Sequence, residues 1–284
     1  MSRAMAVIDT LAYLKNSCNL NVMVSEEKVE ILAWLVELLQ AFFLMADDVM
    51  DDSTMRRGKP CWFRVENVGK TAINDSLLLQ SILYRVLRLH FSSYACYGRL
   101  VEEFLNATFI TELGQLMDMS KPIDGFSRVY YQRMVCLKTA YYSFVLPVKL
   151  AFTIFDIDGF PKELESGLLK IGEFFQIQDD YLDVYGDPAI TGKEGTDIQE
   201  GKCTWLALEI LERANDKDLL IFSLNIGKSD GASVDLIKGL YMKYEIEKVY
   251  QTHEQEYEEQ LSNIDCPHKH ILQYFLKKIL KRNK

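Results

Sequence analysis

Apolar residues return every three to four positions through seven stretches of the chain: residues 27–50, 71–92, 97–118, 126–152, 162–185, 203–225 and 232–262. That spacing places the apolar side chains on one face of an α-helix, so each stretch predicts a helix with a buried stripe. No convincing run of alternating apolar and polar residues with hairpin turns appears, and strands are not predicted. Several of the helices are too apolar for a surface position and belong at the centre of a bundle. The breaks are short: Arg57-Gly58-Lys59-Pro60, Lys121-Pro122-Ile123-Asp124-Gly125, Asp158-Gly159-Phe160-Pro161, Gly186-Asp187-Pro188 and Gly227–Gly231. None is a long Ser/Gly/Pro linker, so residues 1–284 are expected to form one all-α domain.

One predicted helix ends as an apolar helix should not. From Ile31, sixteen mostly apolar residues run into Asp47, Asp48, Asp51 and Asp52, and Arg56 and Arg57 follow. The pattern recurs between Ile171 and Asp187, where Asp179, Asp180 and Asp183 repeat the D-D-x-x-D spacing of Asp47, Asp48 and Asp51. Residues four apart share a helix face, so Asp47 lies over Asp51 and Asp179 over Asp183. Carboxylates one turn apart repel each other unless a cation answers them. Magnesium suits such a site, because it takes oxygen ligands and is usually held by one or two carboxylates plus substrate phosphates. A single cluster is an ordinary solvated helix end; two copies, each closing an apolar helix, point to magnesium and a diphosphate. Neither copy has the D-x-D-x-D-G loop and distal Glu of a calcium-binding EF-hand.

Cations accompany both clusters. Arg56 and Arg57 follow the first, Lys193 and Lys202 the second, and Lys138-Thr139 sits mid-helix in VCLKTAYYSF, where a charge implies a polar cavity. The Gly-Lys pairs at 192–193 and 201–202 imitate a P-loop. Their glycine spacing is wrong by one residue, and Glu194 and Cys203 replace the needed Ser/Thr, so a nucleotide site is rejected.

Composition narrows the picture. A formal charge of -9 argues against a nucleic-acid partner, and 49% hydrophobic residues can build a sizeable core. The six cysteines are scattered without a C-x-x-C pair, which indicates neither zinc nor a disulfide framework and fits a reducing, cytoplasmic setting. The apolar run before Asp47 is broken by Glu37 and Gln40 and is too short to span a bilayer with ease, and Met1–Lys15 lacks a signal-peptide layout, so no membrane span is expected. His90, His253, His268 and His270 all lie outside the motifs.

The segments LLQAFFLMADDVMD, RRGKPCW, LKTAYYSF, GEFFQIQDDYLD and TGKEGTDIQEGKCTWL together resemble the trans-isoprenyl diphosphate synthases, in particular their animal, farnesyl-diphosphate-forming members. The resemblance spans essentially the whole chain. It implies an all-α bundle around a central active-site cavity, a homodimer, and two aspartate clusters that face each other. It further implies Asp47, Asp51 and Asp179 as direct magnesium ligands, with Asp180 and Asp183 completing the metal site and Asp48 supporting it. Three magnesium ions would act with the diphosphate. Arg56, Lys138, Thr139, Gln176, Lys193 and Lys202 would hold an allylic diphosphate (dimethylallyl or geranyl), and Gln40 and Arg57 the second substrate, isopentenyl diphosphate. Asp47, Asp48, Asp51, Lys138, Asp179 and Lys202 would carry the catalysis. Phe42 and Phe43 would form the floor that stops chain growth at farnesyl diphosphate.

The chain also departs from the family's pattern. The family begins with several dozen more residues, among them a Gly-Lys-x-x-Arg element for isopentenyl diphosphate; here Arg3 matches its last arginine and the Gly-Lys part is absent. Each lost charge-assisted contact weakens a diphosphate site by roughly 1.5–3 kcal/mol. Asn283 stands where the family has another basic residue. An N-terminally shortened synthase is therefore expected, with two alternatives: a family-derived terpene synthase that needs no isopentenyl diphosphate, or a non-catalytic partner subunit.

Overall fold

The computed structural model describes residues 3–17, 24–120, 123–157, 159–192 and 195–281. Fourteen α-helices lie among them. Helix α1 (Arg3–Ser17) packs on α2 (Glu26–Met50), the first of the two helices that end in aspartates. Helices α3 (Thr71–Phe91) and α4 (Tyr97–Ser120) follow. Next comes one continuous rod: α5 (Arg128–Val135), a π-helical stretch (Cys136–Val145) and α6 (Leu146–Ile154). Helix α7 (Lys162–Tyr185) carries the second aspartate cluster, and two single turns follow it, α8 (Pro188–Thr191) and α9 (Asp197–Glu200). The C-terminal layer is α10 (Trp205–Arg213), α11 (Asp216–Asn225), α12 (Gly231–Lys243), α13 (Ile246–Ser262) and α14 (Lys269–Leu280).

The rod is the axis of the fold. Ala140, Phe144, Val145, Leu146, Val148, Leu150 and Ala151 have no exposed surface, so its apolar character is explained by enclosure in protein. Glu26–Met50 and Arg128–Ile154 are both long and apolar enough to cross a membrane, and the second is this enclosed rod. Two helices close on it through glycines. A Cβ on Gly114 of α4 would stand 2.2 Å from the backbone nitrogen of Lys138, and one on Gly172 of α7 would stand 2.2 Å from the Cβ of Ala140. Only glycine permits either approach. One apolar core fills the space between α1–α4, the rod, α7 and α14; a second lies under α10–α13.

Four expectations need correction. The stretch 203–225 is two helices, because Asn215 accepts from the Asp218 N–H and starts a new one. The stretch 232–262 breaks at Glu245, whose φ of 51° is left-handed. The break after the first cluster forms a minimal antiparallel hairpin, β1 (Met55–Arg56) with β2 (Lys59–Pro60), turned through Arg57 and Gly58 at positive φ. Helices α1 and α14 were not predicted; the hydrophobic face of α14 (Ile271, Leu272, Phe275, Leu276, Ile279) is fully used against the core.

Candidate active site

Helices α2 and α7 point their aspartate ends at one cavity of about 620 Å³. Its wall includes Asp47 and Asp51 from α2, Asp179 and Asp180 from α7, Lys138 and Thr139 from the π-helical stretch, and Lys202 from the loop before α10. Arg3, Gln40, Phe42, Phe43, Arg56, Arg57 and Gln176 also line it. The sequence-predicted residues therefore converge, apart from Asp48 and Asp183, which do not reach the wall, and Lys193, which lies outside the described residues, as does Asn283.

The first cluster is held by cations. Lys138 Nζ donates to Asp47 Oδ1 at 3.2 Å, and Lys202 Nζ to Asp51 Oδ1 at 2.9 Å. Both ammonium groups also donate to one oxygen of Asp118, at 2.6 and 2.7 Å. Burial pulls the Lys138 ammonium down, but Asp47 and Asp118 raise it further, and its pKa lies above the ordinary lysine value. Lys202 is raised in the same way, burial being outweighed chiefly by Asp118 and Asp51. Arg56, expected on the diphosphate, lines the cavity and bonds the first cluster: its Nε donates to Asp48 Oδ1 at 2.6 Å and its Nη2 to Asp47 Oδ2 at 3.3 Å. Asp48, 4% exposed, thus fixes the hairpin to the end of α2.

The second cluster divides its labour differently. Asp180 was expected among the metal-binding carboxylates, and the structure buries it under three donors: Tyr131 Oη at 2.7 Å, the Trp205 backbone N–H at 2.8 Å and Gln176 Nε2 at 3.0 Å. Burial pushes its pKa up to about 7 against those three hydrogen bonds. Asp180 therefore ties α7 to α5 and α10. Asp183, also expected at the metal, accepts from the Asp197 backbone N–H at 3.0 Å. A Cβ on Gly195 would fall 1.7 Å from the Asp183 carbonyl, so the loop wraps tightly over this residue. Asp179 and the buried Asp180 both line the cavity, and Asp183 does not.

Gln176 and Thr139 line the cavity and bond each other, Thr139 Oγ1 donating to Gln176 Oε1 at 2.8 Å. The loops after the two clusters also touch, since the Gly58 N–H donates to the Gly192 carbonyl at 2.7 Å. Arg3 is buried beside the cavity. Its Nε and Nη2 donate to Ser143 Oγ at 2.9 and 2.7 Å, Nη2 also reaches Tyr142 Oη at 3.1 Å, and the guanidinium lies 4.7 Å over the Tyr142 ring. The Phe43 ring contacts Phe42 at a tilt (4.9 Å) and Tyr142 edge to face (5.2 Å).

Asp118, Tyr142 and Gln115 were not foreseen. Gln115 is on the wall with a buried amide nitrogen that has no protein partner, a donor suited to an anionic ligand or its water. A polar pair, Gln115 and Asp118, just after a glycine in the apolar helix 97–118 was the signal available. Among the described residues no three His, Cys, Asp or Glu side chains converge to enclose a metal alone. The carboxylates of Asp47, Asp51 and Asp179 on the cavity wall are oxygen donors of the kind magnesium takes, with phosphate and water supplying the rest of its coordination. The ammonium groups now on Asp47 and Asp51 mark where cationic charge belongs.

The sequence profile of the polyprenyl synthetase family matches residues 1–244. The farnesyl pyrophosphate synthase of Zea mays is 40% identical over 299 residues, covering all of this chain and 84% of that protein. That of Bos taurus is 44% identical over 231 residues, 78% of this chain and 65% of that protein. A farnesyl diphosphate synthase from T. brucei, solved in complex with minodronate, superposes with a TM-score of 0.89 at 31% identity, covering all of this chain and 87% of that one. The chain belongs to the polyprenyl synthetase family.

Proposed function

We propose that this protein is a prenyltransferase that joins an allylic diphosphate to isopentenyl diphosphate and releases farnesyl diphosphate. The observation that carries the reading is a single cavity lined by carboxylates of both clusters, by two lysines and by the Phe43–Tyr142 aromatic pair. Asp47, Asp51 and Asp179 would hold magnesium. When bound, magnesium supplies Lewis-acid stabilisation of the departing diphosphate.

The chain's own residues do the rest. Lys138 and Lys202 place fixed positive charge where negative charge grows as the carbon–oxygen bond of the allylic substrate breaks. Phe43 and Tyr142 offer aromatic faces to the allylic cation and exclude water from it. Gln40, Arg57 and Arg3 line the same cavity and would orient isopentenyl diphosphate, whose double bond attacks the cation. The new carbon–carbon bond leaves a cation on the isopentenyl unit; loss of a proton to the released diphosphate restores a double bond. Phe43, backed by Phe42 and Tyr142, stops the growing tail.

A homodimer is part of the proposal. Leu78 and Ile82 on α3, with Leu105, Phe109 and Leu116 on α4, stay exposed at helical spacing. An apolar face of that extent is what a second copy would cover.

The deciding experiment gives the purified protein magnesium and geranyl diphosphate, with and without isopentenyl diphosphate. Farnesyl diphosphate formed only with both substrates supports the proposal. A hydrocarbon formed without isopentenyl diphosphate would assign a terpene synthase, and no turnover in either case a non-catalytic subunit.

A further inference from the structure

Asp118 belongs to neither aspartate cluster, yet it stands at the centre of the charge network. One of its oxygens accepts from both Lys138 and Lys202, and its side chain is only 7% exposed. Two ammonium groups brought to one oxygen repel each other strongly in a site with so little water, and only a negative charge between them keeps them there. The lysines' other hydrogen-bonded partners are Asp47 and Asp51, which would turn to a bound metal, while Glu200 stands 3.6 Å from Lys202 alone. Asp118 is the carboxylate that stays on both. Its helix is also fixed relative to Lys138, because Gly114, one turn earlier on α4, presses directly on the Lys138 backbone. Burial pushes the Asp118 carboxyl up, but Lys138 and Lys202 push harder the other way and keep it ionised below the ordinary aspartate range.

We propose that Asp118 is a positioning residue that holds Lys138 and Lys202 side by side as a clamp for the allylic diphosphate. It keeps that clamp assembled after Asp47 and Asp51 have turned to metal. The identity of the clamped group rests on the prenyl-transfer reading above.

An ammonium carries three donors, so one bond to Asp118 leaves each lysine able to reach a phosphate oxygen. Asp118→Asn keeps the shape and removes the charge; Asp118→Glu keeps the charge and shifts it by one methylene. Two measurements are made on each variant: calorimetric titration with inorganic diphosphate in the presence of magnesium, and KM for geranyl and for isopentenyl diphosphate. For Asp118→Asn, diphosphate affinity is expected to fall at least tenfold and KM for geranyl diphosphate to rise by a similar factor. KM for isopentenyl diphosphate should stay within twofold, and the magnesium concentration for half-activation should not move. Asp118→Glu should recover part of the loss, and it carries the test by the same two readouts if the Asn variant does not fold.

Unchanged diphosphate affinity would overturn the proposal. Equal rises in both KM values would do so as well, since they indicate general distortion, and so would a shifted magnesium requirement, which would make Asp118 a ligand. If the wild type binds diphosphate through Asp118 but does not condense the two substrates, the prenyl-transfer reading fails and the clamp stands. If it condenses them and Asp118→Asn binds diphosphate normally, the clamp fails and the reading stands.

Discussion

Gly114→Ala tests how far the site depends on one helix approach. The added methyl would lie 2.2 Å from the Lys138 nitrogen, 2.5 Å from its Cα and 2.6 Å from the Leu137 carbonyl carbon. All three are backbone atoms of a rod whose other side is packed, so no flexible side chain can move aside. Ordinary carbon contacts need about 3.5–4.0 Å, so α4 must retreat by roughly 1 Å or more. Overpacking of this kind costs about 1–3 kcal/mol. At roughly 2–4 °C per kcal/mol for a chain of this size, Tm should fall by about 2–12 °C. The same retreat draws Asp118 away from Lys138 and Lys202, and a misplacement of about 1 Å at a catalytic group can cost on the order of 100-fold in rate. Thermal melting and steady-state kinetics measure the two effects separately. Gly98→Ala is the internal control: it lies on the same helix with nothing within 4 Å of the added methyl, so it should be neutral or slightly stabilising. A Gly114→Ala protein with the melting point and rate of the wild type would refute the close-approach argument.

Three further outcomes follow from the same geometry. Phe43→Ala removes the ring between Phe42 and Tyr142, so chromatography of the products should reveal chains longer than farnesyl; an active variant with an unchanged profile would count against the floor. Arg3→Ala removes charged hydrogen bonds worth about 1.5–3 kcal/mol, and KM for isopentenyl diphosphate should rise roughly 10- to 100-fold while KM for geranyl diphosphate holds. Equal rises would mean that Arg3 serves only to fix Ser143 and Tyr142. Phe109→Glu places a charge in the exposed α4 face, where Phe109 is 62% exposed, and light scattering should find monomer in place of dimer.

The parts of this protein most legible in its sequence were those where periodicity and spacing carry the information directly. The long helices and the two D-D-x-x-D clusters are of that kind: Asp47 and Asp51 must share a helix face wherever the helix goes. The division of labour within the second cluster was not legible, because three identical side chains differ only in what the fold brings to them. Asp180 meets Tyr131 and the start of α10, and Asp183 meets the loop at 195–197, both through tertiary contacts. Arg56 is expected on the diphosphate from the family resemblance, and its bond to Asp48 is made by the hairpin, which no local spacing shows. Asp118 carries only a weak local signal, its pairing with Gln115 just after Gly114; its meaning lies in two lysines, 20 and 84 residues away.

The π-helical stretch explains why so much of the site depends on two glycines. In it the backbone bonds run from residue i to i+5, as from the Leu146 N–H to the Tyr141 carbonyl, which widens the helix relative to the α-helix on either side. Under the proposed function Lys138 and Thr139 on this stretch would serve the diphosphate and Tyr142 the aromatic floor, and Ser143 accepts from Arg3, which would face the second substrate. A π-helical turn is intrinsically less stable than an α-helical one, and it persists only where its surroundings over-determine it. Gly114 presses on its first turn from α4, and Gly172 presses on Ala140 from α7. Helix α7 also bears the second cluster and α4 bears Asp118, so the contacts that stabilise the widened helix also set the distances between the cavity-lining carboxylates and the lysines. A side chain at either glycine should therefore disturb both substrate sites together, whereas a change at Asp118 should disturb only one.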